Sequence, residues 1–206
     1  MENKISKTNL SLGADVIQLL IPHRRPFLMV DRITHVSFGE RPTIRTSKYL
    51  SANEPIFDGH FPKLLLMPGA YTFEGMGQST NILAMMIALR EIFQAKGEDP
   101  EEVLDQLKQI ERAYSLSPEY HPKKHKILSE LNQIDQSPRY GMVGAVNMKF
   151  IEPIKPGNIV EYEAILTGTF ENLLHYEIQA VVNEVVKARG TLSSIKNIGN
   201  LNSGNL

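Results

Sequence analysis

Apolar positions along the chain change their rhythm several times, and each change predicts a different kind of structure. After a polar first stretch, Val16, Ile17, Leu19 and Leu20 cluster within residues 13–20 and predict a short helix. Pro22 must end it, since proline cannot continue a helix and disfavours one before it. Phe27-Leu28-Met29-Val30 is a short apolar run, residues 37–42 with Gly39 and Pro42 read as a turn, and the β-branched and aromatic residues of 43–50 read as a strand. After Met67-Pro68-Gly69 no proline intervenes through about Gln94, and one long helix is expected. Its apolar residues Phe73, Met76, Leu83, Met86, Ile87 and Leu89 are spread round the helix instead of along one stripe, which predicts a helix enclosed by protein. Gly75 and Gly77 each cost about 1 kcal/mol against alanine there. Such a cost makes sense where another backbone approaches closely.

Between residues 94 and 139 the chain turns charged and polar, with helical spacing. Asp99-Pro100-Glu101-Glu102 has an acidic N-cap and proline at the first helical position, and Val103, Leu104, Leu107, Ile110 and Tyr114 follow at helical intervals. A second helix is expected over 123–134, burying Ile127, Leu128, Leu131 and Ile134. From Tyr140 onward the rhythm becomes that of strands, at 143–152, 159–170, 173–182 and 185–195, separated by turn residues such as Pro156-Gly157 and Asn172. The Asn/Gly/Ser-rich end, 196–206, is expected to be disordered. One enclosed helix with strands before and mostly after it predicts an α+β domain, an antiparallel sheet curved around a central helix. With no repeat and no linker, residues 1–206 read as a single domain carrying a helical insertion at about 94–139.

Composition narrows this little. The chain has 206 residues, 42% hydrophobic and 22% charged, which suits one sizeable core. A net charge of -1 gives no reason to expect nucleic acid or an anionic membrane as the main partner. The absence of cysteine removes disulfides, thiolate metal sites and a cysteine nucleophile. The N-terminal residues show no signal-peptide pattern and no run approaches a membrane span, so a cytoplasmic protein is expected. His121 and His125 are four apart with Pro122 between them and no further ligand cluster, so no metal site is expected.

The chemistry is concentrated in residues 53–78. His60 sits in a Gly/Pro-rich loop, Met67-Pro68-Gly69 opens the long helix, and Glu74 and Gln78 follow at i and i+4 on one helix face. A histidine, titrating near neutrality, suits a general base, and a carboxyl on a largely apolar helix suits a general acid. A loop histidine could equally be a plain hydrogen-bonded residue, and Glu74 could simply face water.

Gly59-His60-Phe61-Pro62, then Met67-Pro68-Gly69, then Phe73-Glu74-Gly75-Met76-Gly77-Gln78, resemble the signature of the FabZ-type (3R)-3-hydroxyacyl-acyl-carrier-protein dehydratases. Pro22-His23-Arg24-Arg25-Pro26-Phe27-Leu28-Met29-Val30-Asp31-Arg32 resembles that family's N-terminal motif, and residues 149–158 its later strand and turn. The resemblance implies the hot-dog fold, in dimers with active sites at the subunit interface that could assemble further into a trimer of dimers. It implies a 3-hydroxyacyl thioester on acyl carrier protein as substrate, a trans-2-enoyl thioester as product, and no cofactor. His60 of one subunit would remove the α-proton and Glu74 of its mate would help the hydroxyl leave. The backbone N–H of Gly69 would meet the developing enolate, Gln78 would orient Glu74 or a water, and Phe61, Met67, Pro68 and Phe150 would line the acyl tunnel.

The chain departs from the family pattern in three places. Lys63-Leu64-Leu65 replaces the family's glycine, basic residue and proline, Gly75 and Gly77 stand where alanines are common, and the 94–139 insertion is far longer than the usual connection. The insertion could cap the tunnel, alter chain-length preference, add an oligomer contact, bind a partner or serve as a passive extension. The competing readings are a hot-dog hydratase or thioesterase acting on acyl-CoA, and a non-catalytic acyl-binding or scaffolding subunit.

Overall fold

A computed structural model describes residues 10–117, 119–121, 125–135 and 142–195. The elements run α1 (Ala14–Leu20), β1 (Arg32–Ser37), β2 (Thr43–Tyr49), α2 (Gly69–Ala95), α3 (Glu102–Leu116), α4 (Lys126–Asp135), β3 (Val143–Phe150), β4 (Ile159–Phe170), β5 (Leu173–Val182) and β6 (Val185–Ile195). The six strands form one sheet in the order β1-β2-β4-β5-β6-β3, every neighbouring pair antiparallel. Register shifts in β1, β3, β4 and β5 mark irregularities of the bulge kind, which bend strands and raise their twist. They help the sheet curve over α2, which packs against β2, β4 and β5. The α+β arrangement predicted from the apolar rhythm is therefore the one observed.

Strict alternation in β4 and β5 sends Val160, Tyr162, Ala164, Leu174, Tyr176, Ile178 and Ala180 toward the core while their neighbours face out. On α2 the buried residues include Met76, Ile82, Leu83, Met86, Leu89 and Phe93, spread over most of its circumference. Gly75 explains itself: a Cβ there would lie 2.3 Å from Cζ of Tyr162, so the close neighbour is a tyrosine ring from the sheet and not another backbone. For Gly77 the expectation fails, because a Cβ would meet nothing within 4 Å. The core asks for only one of the two helix glycines.

The charged stretch after α2 is integral to that core. Val103, Leu107 and Ile110 of α3 and Ile127 and Leu131 of α4 are at most 2% exposed, within the cluster that contains Val16, Ile17 and Leu20 of α1 and Leu89 and Phe93 of α2. Helix α3 starts at Glu102, later than its acidic signal suggests. Asp99 instead accepts a hydrogen bond from the backbone N–H of Glu101 at 2.9 Å, in the turn that precedes the helix. Polar pairs fasten the edges of this packing: Lys96 bonds both carboxylate oxygens of Glu130 (2.7 and 2.6 Å), Arg90 bonds Glu101 and the Pro100 carbonyl, and Glu111 accepts from the N–H of Gly13.

Two elements differ from their expected bounds. Strand β1 was not legible, since its sequence carries only two apolar residues, Ile33 and Val36, as suits an edge strand that is mostly half-buried. Helix α4 begins at Lys126, and residues 122–124 lie outside the described residues, as does the tail at 196–206. Among the described residues no helix is long and apolar enough to cross a membrane.

Candidate active site

His60 follows a single 3-10 turn, Pro55–Asp58, whose Ile56 carbonyl accepts its backbone N–H at 3.1 Å. The chain then folds back on itself. Phe61 and Leu64 exchange both backbone hydrogen bonds (2.9 and 3.0 Å), and the Leu66 N–H returns to the His60 carbonyl at 3.0 Å. Lys63-Leu64-Leu65 is thus accommodated in a closed turn, with Leu64 pointing outward at 51% exposure. Within this turn the imidazole Nδ1 lies 2.8 Å from the Leu66 carbonyl, and the ring stacks on Phe61 with centroids 4.1 Å apart. A carbonyl can only accept, so Nδ1 carries the hydrogen and the neutral ring keeps its lone pair on Nε2. The turn thereby presents His60 as a proton acceptor.

Glu74 lies in the second turn of α2 with its side chain about one-fifth exposed. Its Oε1 accepts a hydrogen bond from Gln78 Nε2 at 2.8 Å, the i to i+4 pairing that the spacing anticipates. Gln78 is 1% exposed and is held from the other side: its Nε2 also donates to the Phe27 carbonyl at 2.7 Å, and its Oε1 accepts from the Met29 N–H at 2.8 Å. The amide therefore ties α2 to the apolar run at 27–30 and fixes where Glu74 can point.

One neighbour of Glu74 was not anticipated. His23 Nε2 lies 3.5 Å from the Glu74 carboxylate, while the ring stacks against Phe27 and buries an Nδ1 with no partner among the described residues. Burial pushes the His23 pKa below the ordinary histidine value; the nearby Glu74 charge opposes that shift and Arg24 adds to it. The only signal in the sequence was the place of His23 inside the motif at 22–32, since nothing local shows that this loop reaches the start of α2.

Helix α2 opens with Pro68 as N-cap. Its first-turn N–H groups have no acceptor inside the helix. The Pro68 carbonyl takes those of Tyr71 and Thr72, and none among the described residues takes that of Gly69. Phe150 lies over this glycine so closely that a Cβ would sit 3.0 Å from its ring. Beside them opens a cleft of about 440 Å³ lined by Met67, Gly69, Thr72, Phe150, Pro153 and Ile154, with the Lys187–Glu152 ion pair at its rim. Of the tunnel residues expected from the sequence, Met67 and Phe150 line this cleft. Phe61 instead stacks on His60 and is half exposed, and Pro68 caps the helix. The polar contacts of His60 and of Glu74 do not join them within one chain: His60 is engaged by Leu66, Glu74 by Gln78 and His23.

A sheet curved over one long helix defines the hot-dog class, and the overall arrangement matches a solved member of it. The dehydratase heterocomplex ApeI:P from Xenorhabdus doucetiae superposes with a TM-score of 0.52 at 14% identity, over 87% of this chain and 89% of that one. Residues 21–113, which hold His23, His60, Gly69, Glu74 and Gln78, match the family model of the FabA-like domain. The chain is 46% identical over 85 residues to the 3-hydroxyacyl-[acyl-carrier-protein] dehydratase FabZ of Tolumonas auensis, which is 41% of this chain and 54% of that protein. It is 52% identical over 75 residues to FabZ of Aeromonas salmonicida, 36% of this chain and 49% of that protein. The matched stretch spans about half the length of these curated relatives.

Proposed function

We propose that the protein is a (3R)-3-hydroxyacyl-acyl-carrier-protein dehydratase of the cytoplasm, working without a cofactor. The observation that carries this reading is the pairing of two preset groups inside the FabA-like stretch: an imidazole whose Nδ1 is held by Leu66, and a carboxyl whose direction is fixed by Gln78. In the reaction, His60 Nε2 takes the proton α to the thioester carbonyl. The enolate oxygen forms at the Gly69 N–H, at the positive end of α2. Glu74 gives a proton to the departing β-hydroxyl, which leaves as water. One proton is gained by His60 and one lost by Glu74, so a transfer through solvent restores the starting state. Each positioned proton transfer is worth roughly 10²–10⁴ in rate.

We read the functional unit as a dimer in which His60 of one subunit works with Glu74 of its mate, with a trimer of dimers as the larger assembly. Two observations support it. The two groups make no polar contact with each other within the chain, and β3 lies at an open edge of the sheet with Val143, Val146 and Phe150 about half exposed. An apolar edge strand of this kind is a template for pairing with a second strand. Residues 1–206 are taken as one hot-dog domain, with the stretch at about 94–139 as its insertion.

The test follows interconversion of 3-hydroxyacyl and trans-2-enoyl thioesters on acyl carrier protein by mass spectrometry. Wild type should turn over, and His60→Ala and Glu74→Gln should not, at unchanged thermal stability. Turnover that survives both substitutions would sink the reading.

A further inference from the structure

The outer face of the sheet, turned away from α2, carries a second feature that the dehydration reading does not use. Lys149 of β3 and Arg189 of β6 stand directly opposite each other in register, and one step along the same face Asn147 stands opposite Thr191. Side chains two residues apart on a strand are about 7 Å apart, so these four form a compact square of hydrogen-bond donors. All four are exposed, and among the described residues none has a side-chain hydrogen bond or ion pair. Like charges facing each other across a strand pair are destabilising. The usual remedy, a neighbouring carboxylate, is already committed: Glu163 is bonded by Arg45 and Gln179, and Glu177 by Arg41. Two positive charges are left over.

These residues line a groove of about 550 Å³, together with Ile165, Ile178, Gln179 and the two arginine-paired carboxylates Glu163 and Glu177. That volume lies in the range of small-molecule sites. We infer that this groove binds the phosphate dianion of a small phosphorylated molecule, held by Arg189 and Lys149 with Asn147 and Thr191 donating to the remaining oxygens. The choice of a phosphate follows from the charge: two unneutralised cations match a group that carries about −1.5 to −2 at neutral pH, whereas a carboxylate would leave one cation in excess. Arg189 supplies a planar fork suited to two phosphate oxygens and Lys149 a point charge. Both are set on hydrogen-bonded strands, so binding orders their side chains but not their backbone. Ile165 offers an apolar floor for the organic part of the ligand.

The experiment is calorimetric titration of the full chain at fixed ionic strength with three probes: inorganic phosphate, pyrophosphate and adenosine 3′,5′-bisphosphate. Saturable binding at one site per chain is expected, weakened at least ten-fold by Lys149→Ala and by Arg189→Ala. Lys187→Ala, which removes a cation on the same strand already paired with Glu152, should leave binding unchanged. Equal affinity for the three probes would assign the site to the phosphate group alone, and a preference for the nucleotide to a phosphate ester resting on Ile165. A second readout is the melting temperature without ligand, which should rise in Lys149→Ala as the facing charges are relieved. Absence of saturable binding, or an equal loss in Lys187→Ala, would overturn the assignment.

Discussion

The two ends of α2 are built on opposite principles. At the C-terminal end, Met86, Leu89 and Phe93 are fully buried, all three in the same apolar cluster as α1, α3 and α4, and polar pairs such as Lys96–Glu130 lie at its margin. At the N-terminal end the helix carries Glu74 and Gln78, leaves the Gly69 N–H without a partner among the described residues and is flanked by half-exposed Phe27 and Phe61. Glu74 and Phe93 are 19 residues apart, roughly 28 Å along the axis. Helices α3 and α4 of the insertion therefore pack at the end of α2 remote from Glu74 in their own chain, and their placement does not support a cap over that site. What the contrast teaches is that one helix can be anchored at one end by apolar packing so that the other end can hold polar groups in fixed directions at a cost in packing.

That division can be broken from either end. The largest effect is expected at the polar end: His60→Ala or Glu74→Gln should lower turnover roughly 10²–10⁴-fold with no change in melting temperature, checked by the thioester assay and calorimetry side by side. Next comes the apolar end, where Phe93→Ala should cost about 3–5 kcal/mol of stability and Leu107→Ala about 2–5. Denaturant unfolding would measure both, and the surviving folded fraction should keep its turnover per molecule. A large loss of activity in folded Leu107→Ala would show that the two ends are coupled.

Gln78→Ala tests the polar latch and should move both quantities. It strands the Met29 N–H and the Phe27 carbonyl, costing about 1–3 kcal/mol, and it frees Glu74, so kcat should fall more than KM rises. The smallest effect concerns pH. Burial lowers the pKa of His23 and of His35 below the ordinary value of 6.5. As pH falls through 6.5 the unfolded chain binds protons first, so stability should decline from there down to the folded-state pKa values and level off below them. His23→Asn should remove part of that decline, read as the slope of melting temperature against pH.

Much of this contrast was legible before any coordinates. The even spread of apolar residues from Phe73 to Leu89 announced an enclosed helix, alternation announced β4, β5 and β6, and the Glu74/Gln78 spacing put both side chains on one helix face. Strand β1 was missed because an edge strand buries too few residues to write an alternation into its sequence. Gly77 misled because the entropy cost of a glycine is visible in sequence while the space around it is not.

Local periodicity, then, determined the elements, since whether a segment is helix or strand depends on neighbours three, four or two residues away, and the motif around His60 and Glu74 named the candidate chemistry. Tertiary structure alone decided what those elements bring together. Gln78 meets Phe27 and Met29 across 51 and 49 residues, and His23 meets Glu74 from another loop. Lys149 faces Arg189 only because the sheet order places β3 beside β6. Such contacts are set by how the whole chain closes around one core, and no short stretch of sequence contains that information.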